Sequence, residues 1–231
     1  ARKHTAAPGR AQPTLPATLP EHQRANQQRG NARAQRHLHE RRHVGCGGFH
    51  GHLLHAPQHA EQQHQASLDL VQQLLPRPEV QHAQHIALYL TNDGELDTSP
   101  LIQALWQQGK NVYLPLLHPV VPGYLVFQLY TPDSLLKPNQ FGIGEPELNC
   151  SLLCPVSQLD LIFTPLVAFD AQGQRLGMGG GFYDRMLASL SPRPFTVGLG
   201  FGTGFVDDFE PEPHDMPLDA ILNDHGVVWP V

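Results

Sequence analysis

From residue 66 onward the chain alternates between two kinds of apolar pattern. ASLDLVQQLLP at 66–76 sets Leu68, Val71 and Leu75 on one face and stops at Pro76, the spacing of a short helix. HIALYL at 85–90 is a near-continuous apolar run of strand length, as expected where a sheet is covered on both faces. A polar loop, TNDGELDT, leads to SPLIQALWQQG at 99–109, which reads as a helix ended by Gly109. NVYLPLL (111–117) and YLVFQLY (124–130) follow as strands. After a passage rich in Pro and Gly, LDLIFTPLVAF (159–169) reads as a buried central strand. A glycine-dense loop comes next, then FYDRMLASL (182–190) as a helix and FTVGLGF (195–201) as a strand. Strand and helix alternate without internal repeat, which predicts an α/β domain with a largely parallel sheet.

Residues 1–62 carry no such pattern. They are rich in Arg, Gln, His, Ala and Pro, and ten of the 15 histidines lie at or before His64. Up to that histidine nine Lys/Arg face three acidic residues, a balance of +6, whereas the remainder carries −12. A split of this size divides the chain into two regions of different character. Too few aliphatic residues recur in the first region to offset an ordering cost of about 1–2 kcal/mol per residue. HLHERRH at 37–43 invites a metal site or a nucleic-acid arm, but its histidines continue irregularly and no aromatic residues accompany its arginines. The expectation is a poorly ordered extension over 1–62 ahead of a single α/β catalytic domain over 63–231, with no nucleic acid as partner.

With 40% hydrophobic and 16% charged residues the chain suits a soluble protein, and no apolar run reaches the ~20 residues of a membrane-spanning helix. No secretory apolar segment is visible near the start. Cys46, Cys150 and Cys154 make an odd count, which argues against a disulfide framework and for a reducing compartment. The C-x3-C pair has no second pair to complete a metal site, so packed thiols are the better reading. A cytoplasmic monomer without a membrane partner is expected.

Candidate chemistry concentrates in RLGMGGGFYDR at 175–185, with four glycines in five positions. In parallel sheets ligands sit beyond the carboxyl ends of the strands, in loops that lead into helices, and this loop has that place. Glycines allow positive φ and close backbone approach, successive N–H groups form an anion-binding nest, and the helix start adds free N–H groups. Arg175 and Arg185 flank the loop with donors that suit phosphate oxygens. Asp184, its only acid, is placed to hold Mg²⁺ against them. The run is neither G-x-x-x-x-G-K-[ST] nor G-x-G-x-x-G, and a plain tight turn would also use such glycines.

RLGMGGGFYDR, with LYLTNDGELDT, FGIGEP, DLIFTPLVAFD and HDMPLD, closely resembles the 5-formyltetrahydrofolate cyclo-ligase family, also called 5,10-methenyltetrahydrofolate synthetase, and the likeness runs from 66 to 229. The resemblance implies a three-layer, Rossmann-like α/β fold with helices on both faces of the sheet. It implies an ATP- and Mg²⁺-dependent closure of 5-formyltetrahydrofolate to 5,10-methenyltetrahydrofolate, with release of ADP and phosphate, and so a reduced folate as the small-molecule substrate. By the same resemblance Arg175, Leu176, Gly177, Met178, Gly179, Gly180, Gly181, Phe182 and Tyr183 cradle ATP. Met178, Gly179, Gly180, Gly181 and Phe182 also face the folate, together with Leu90, Glu95 and Phe141. Asp184 and Asp215 match the magnesium positions, and Arg175, Tyr183 and Asp184 carry the reaction. The Glu95 carboxylate suits pterin N–H groups, with a solvated loop acid as the plainer alternative. Phe141 serves either pterin contact or simple packing.

The chain departs from the family at its start. Members open with a helix whose Lys and Arg reach ATP, whereas Lys3 here stands in unrelated sequence. That departure supports the alternative of a folate-binding protein with little turnover. An unrelated kinase-like module is disfavoured by the lack of a Walker lysine.

Overall fold

The computed structural model describes residues 56–91, 95–177, 179–207, 211–224 and 226–228. The expected extension up to residue 55, HLHERRH included, lies outside the described residues.

Helix α1 spans Ala56–Leu74, beginning ten residues ahead of the apolar spacing. Glu61, Gln63, His64 and Gln65 face solvent, and turns that bury nothing need good helix formers, not an apolar stripe. The buried face is Ser67, Leu70 and Leu74. Leu68, expected on that face, is exposed, because the Leu70–Leu74 pair one turn apart is what joins the core. A single turn, α2 (Pro78–His82), opens on Pro78 and leads into β1 (His85–Ala87). Helix α3 (Ser99–Gln107) closes where Gly109 takes φ +72°, the left-handed stop its glycine allows. β2 (Asn111–Leu117) and β3 (Leu125–Tyr130) then form an antiparallel hairpin.

β4 (Leu136–Pro138) and β5 (Gly144–Pro146) make a separate ribbon inside the Pro/Gly-rich passage. β6 (Leu153–Cys154) returns to β3, and β7 (Leu161–Pro165) enters the centre of the sheet. The run 159–169 is not one strand. β7 stops at Pro165, which has no N–H with which to extend the ladder. β8 (Ala168–Phe169) pairs instead with β9 (Arg175–Leu176). α4 (Phe182–Ala188), β10 (Phe195–Leu199), β11 (Ala220–Asn223) and β12 (Gly226–Val228) complete the order. All four residues of β11 are buried, but a run of four behind a polar stretch leaves no period to read.

The main sheet has eight strands in the order β12-β11-β10-β7-β1-β2-β3-β6. β11, β10, β7, β1 and β2 run parallel, and β12, β3 and β6 add antiparallel to the edges, so the sheet is mixed with a parallel centre. Its strands send alternate side chains into two cores. Ile86, Val112, Leu161 and Phe163 join Leu70, Leu74, Val80, Leu101 and Leu105 from helices α1 to α3. Ala87, Tyr113, Ile162 and Ile221 join Met186 and Leu187 of α4. Both faces are therefore apolar, which is why these strands read as continuous hydrophobic runs.

Gly198 lies in β10 between β7 and β11, where a Cβ would fall 2.5 Å from Leu166 Cδ2 and 2.6 Å from Leu218 Cδ1. Gly198→Ala should therefore destabilise the fold by about 1–3 kcal/mol through overpacking, measured by equilibrium urea denaturation. An unchanged midpoint would show that the two leucines repack freely.

Candidate active site

The chain leaves β1 towards β2 and β3 on one side and later returns to lay β7 on the other. At such a switch point the loops diverge and a crevice opens beyond the carboxyl ends of the strands. A cleft of about 570 Å³ lies there. Tyr89 and Leu90 beyond β1, Pro115 and Leu117 of β2, and Pro165 and Leu166 at the end of β7 form its floor.

The glycine loop forms one wall. Gly179 and Gly181 take φ of +80° and +60°, which an L side chain resists, and Gly181 is the residue from which α4 starts. At Gly180 a Cβ would sit 2.6 Å from the Phe182 ring, so this glycine is required by contact, not by φ. Arg185 clamps the loop from behind. Its Nη2 donates to the Gly180 carbonyl (2.6 Å), its Nε to the Gly123 carbonyl in the β2–β3 turn (2.9 Å), and its guanidinium lies 5.5 Å from the Phe182 ring centre. Two of the Arg185 nitrogens expected to suit phosphate are thus engaged by backbone carbonyls.

At the base of the loop Arg175 Nη2 donates to Asp184 Oδ1 at 2.8 Å, with the two side chains only 5% and 13% exposed. The Met216 N–H also donates to Asp184 Oδ1 (3.2 Å), and the Arg175 guanidinium lies 5.6 Å from the Tyr183 ring centre. Arg175 Nε is buried and has no partner among the described residues. Arg175, expected at the phosphates, and Asp184, expected at magnesium, are thus paired with each other.

The rest of the lining is aromatic and acidic. Phe141 meets Phe182 edge to face, with ring centres 6.3 Å apart, a geometry that favours aromatic pairing. The turn carrying Phe141 is organised by Asn139, whose Oδ1 accepts from the N–H groups of Phe141 (2.8 Å) and Ile143 (3.1 Å). Asn139 Nδ2 donates to Glu145 Oε1 at 2.7 Å. Glu95 enters the cleft from a loop tied down by Thr91 and Thr98: Thr91 Oγ1 donates to the Leu96 carbonyl (2.9 Å) and accepts from the Thr98 N–H (3.1 Å). Burial first, and then the Glu95 charge, raise the Tyr183 phenol far above its ordinary range, with Arg175 opposing. Burial and the same carboxylate also raise Tyr89.

Leu90, Glu95, Phe141, Arg175, Leu176, Gly177, Gly179, Gly180, Gly181, Phe182, Tyr183, Asp184 and Asp215 all line this one cleft. Met178 lies outside the described residues. Sequence reading missed Tyr89, Asn139 and Glu145. Asn139 alone left a signal, since Asn at the head of N-Q-F-G is a turn former. The acids suit a hard cation. Mg²⁺ is held by one or two carboxylates completed by phosphate oxygens and water, and Asp184 and Asp215 border the same volume. Asp215 is itself oriented by the Glu212 N–H, which donates to its Oδ2 at 2.8 Å.

Known proteins resemble this chain in sequence and in fold. The 5-formyltetrahydrofolate cyclo-ligase family matches residues 53–224, a start thirteen residues ahead of the sequence motifs. The chain is 51% identical over 164 residues to the 5-formyltetrahydrofolate cyclo-ligase of Haemophilus influenzae, covering 71% of this chain and 88% of that protein. It is 45% identical over 170 residues to the Escherichia coli cyclo-ligase, covering 73% and 93%. Among solved structures, Aquifex aeolicus 5,10-methenyltetrahydrofolate synthetase superposes with a TM-score of 0.66 at 25% identity, covering 87% of this chain and 92% of that one. The Mycoplasma pneumoniae synthetase, at 21% identity and a TM-score of 0.57, shares the fold.

Asp184→Ala should cost about 3–5 kcal/mol in unfolding free energy, because it strands a buried guanidinium. The paired replacement Arg175→Met with Asp184→Leu should recover most of that loss, and equal stability of the single and double variants would remove the pair from the account. Stability should also depend on alkaline pH. The unfolded chain releases the Tyr183 proton near the ordinary value of 10.0, before the folded chain does. The contribution is therefore complete below pH 10 and falls above it, by up to about 1.4 kcal/mol per pH unit. Urea midpoints measured across that range should fall less steeply in Tyr183→Phe.

Proposed function

The chain belongs to the 5-formyltetrahydrofolate cyclo-ligase family, and from that premise we propose that this cleft joins 5-formyltetrahydrofolate to ATP chemistry and closes it to 5,10-methenyltetrahydrofolate. The observation that carries the reading is the meeting of two unlike walls in one volume. A glycine loop with Gly179 and Gly181 in left-handed geometry lines the same cleft of small-molecule size as a carboxylate and an aromatic pair.

The formyl oxygen on N5 is a poor nucleophile and a poor leaving group. Its attack on the γ-phosphorus of ATP forms a P–O bond and releases ADP. N10 then attacks the activated carbon and loses its proton, and the C–O bond breaks as phosphate departs with the electron pair. Such a route asks the protein for positioning and charge stabilisation more than for covalent chemistry. The backbone N–H groups of Gly179, Gly180 and Gly181 cradle phosphate, Leu176, Gly177 and Met178 complete the loop, and Arg175 supplies positive charge beside it. Asp184 and Asp215 would hold Mg²⁺, which when bound neutralises charge on phosphate oxygens. Tyr183, kept protonated by burial, acts as a hydrogen-bond donor at the reacting end. Glu95 accepts from pteridine N–H groups, and Leu90, Phe141 and Phe182 cover the ring. Cys150 and Cys154 are free thiols, which suits the reducing cytoplasm in which we place the enzyme.

Mixing the protein with 5-formyltetrahydrofolate, Mg²⁺ and ATP should produce the near-ultraviolet absorbance of the methenyl product. Folate binding without product would make the chain a binder instead. Gly179→Ala should raise the Michaelis constant for ATP roughly 5- to 30-fold, the equivalent of about 1–2 kcal/mol for a Cβ at positive φ. The folate constant should move less, and unchanged nucleotide affinity would remove the loop from phosphate binding.

A further inference from the structure

The ribbon that carries Phe141 has almost no core of its own. All three residues of β4 are exposed, and in β5 only Pro146 is buried. A two-stranded ribbon of that size does not hold itself in place. Polar side chains attach it to the main sheet instead. At its root Gln128 of β3, itself buried, donates from Nε2 to the Glu147 carbonyl (3.0 Å) and accepts at Oε1 from the Asn149 N–H (2.6 Å). Towards its tip the attachment is Glu145. At the end of β2 successive N–H groups alternate in direction. That of His118 turns to β3 and donates to the Tyr124 carbonyl (2.9 Å), so that of Leu117 turns to the other side. There β1 has already ended, at Ala87 opposite Tyr113. The Leu117 N–H therefore has no strand to pair with, and Glu145 Oε1 accepts from it at 3.2 Å. The same oxygen accepts from Asn139 Nδ2 (2.7 Å), and Asn139 Oδ1 in turn holds the Phe141 and Ile143 N–H groups. One carboxylate oxygen thus joins the open edge of β2 to the turn that presents Phe141.

Resting on the reading of the cleft as a folate site, we infer that Glu145 is a positioning residue for the substrate's ring: acting through Asn139, it fixes Phe141 in place beside Phe182. It does so without touching the ligand. Removing its acceptor would leave the Leu117 N–H and Asn139 Nδ2 unmatched, and the turn from Asn139 to Ile143 would lose its tie to the sheet. The Phe141 ring would then stand ready for the substrate in only a fraction of the molecules, and affinity falls by that fraction. The glycine loop hangs from β9 and α4, so the nucleotide side lies off this route.

Calorimetry on variants of the full chain tests this role. Glu145→Leu removes the acceptor, and binding of 5-formyltetrahydrofolate should weaken roughly 2- to 12-fold, the worth of one aromatic contact. ATP affinity should stay within about twofold of the parent. Glu145→Gln keeps an Oε1 that can accept from both donors, and should hold folate affinity within about the same twofold. In a Phe141→Ala background Glu145→Leu should weaken folate binding no further, because its effect passes through that ring. Where Glu145→Leu does not fold, Asn139→Asp takes its place. It keeps the Oδ1 acceptor for Phe141 but loses the donor to Glu145, and the same loss confined to folate is expected. Unchanged folate affinity overturns the inference, as does an equal loss for ATP. So does a Glu145→Gln variant as weak as Glu145→Leu, which would put the charge itself against the ligand, or an undiminished loss in the Phe141→Ala background. The parent protein separates this from the broader reading. If the parent binds no 5-formyltetrahydrofolate, both fall; if parent and variants bind it equally, only the role of Glu145 falls.

Discussion

The buried ion pair between Arg175 and Asp184 governs the site, because it fixes the two ends of the glycine loop. Arg175 belongs to β9 and Asp184 to the first turn of α4, and their 2.8 Å contact sets the span that the intervening glycines must cross. The third partner of the pair, the Met216 N–H, brings in the segment that also carries Asp215. Both carboxylates proposed for magnesium are thus positioned through one buried contact. Ion pairs at such depth add little net stability, because desolvation offsets attraction. What this pair contributes is geometry: with its partner in place neither residue can swing away, and the loop has few conformations left. Arg185 acts in the same sense from the outer side, holding the Gly180 carbonyl and tying the loop to the β2–β3 turn.

In the function proposed above, the cleft divides its labour by chemistry. Near the glycines it offers backbone N–H groups and charge, which suit phosphate and little else. Near Glu95 and Phe141 it offers a carboxylate and aromatic edges, which suit a flat ring with polar edges. Phe182 belongs to both ends: it follows the last glycine, pairs with Phe141 and supports Arg185. The parallel centre of the sheet makes this division possible. Five parallel strands send their carboxyl ends to one side, so loops distant in sequence converge there.

How much of this was legible depended on whether the signal was local. β2 was readable to the residue because NVYLPLL is buried on both faces and bounded by polar loops. The end of α3 was readable because Gly109 announces its own left-handed stop. The run 159–169 misled because apolar character continues through Pro165 while the hydrogen-bond ladder does not. Glu61 and Gln63 to Gln65 of α1 left no apolar trace because they face solvent, and the short β11 left none for want of length.

By itself the sequence determined the alternating α/β pattern, the glycine loop with its requirement for positive φ, and the kinds of groups that would surround a phosphate. These follow from backbone sterics, apolar periodicity and side-chain chemistry, which act over a few residues. Only the tertiary structure decided which groups face one another. That Arg175 pairs with Asp184 while Arg185 grips backbone, and that Tyr89 is buried with its hydroxyl unmatched, depends on contacts between segments up to 62 residues apart. The order in which strands take their places in the sheet brings those segments together, and no local pattern encodes it.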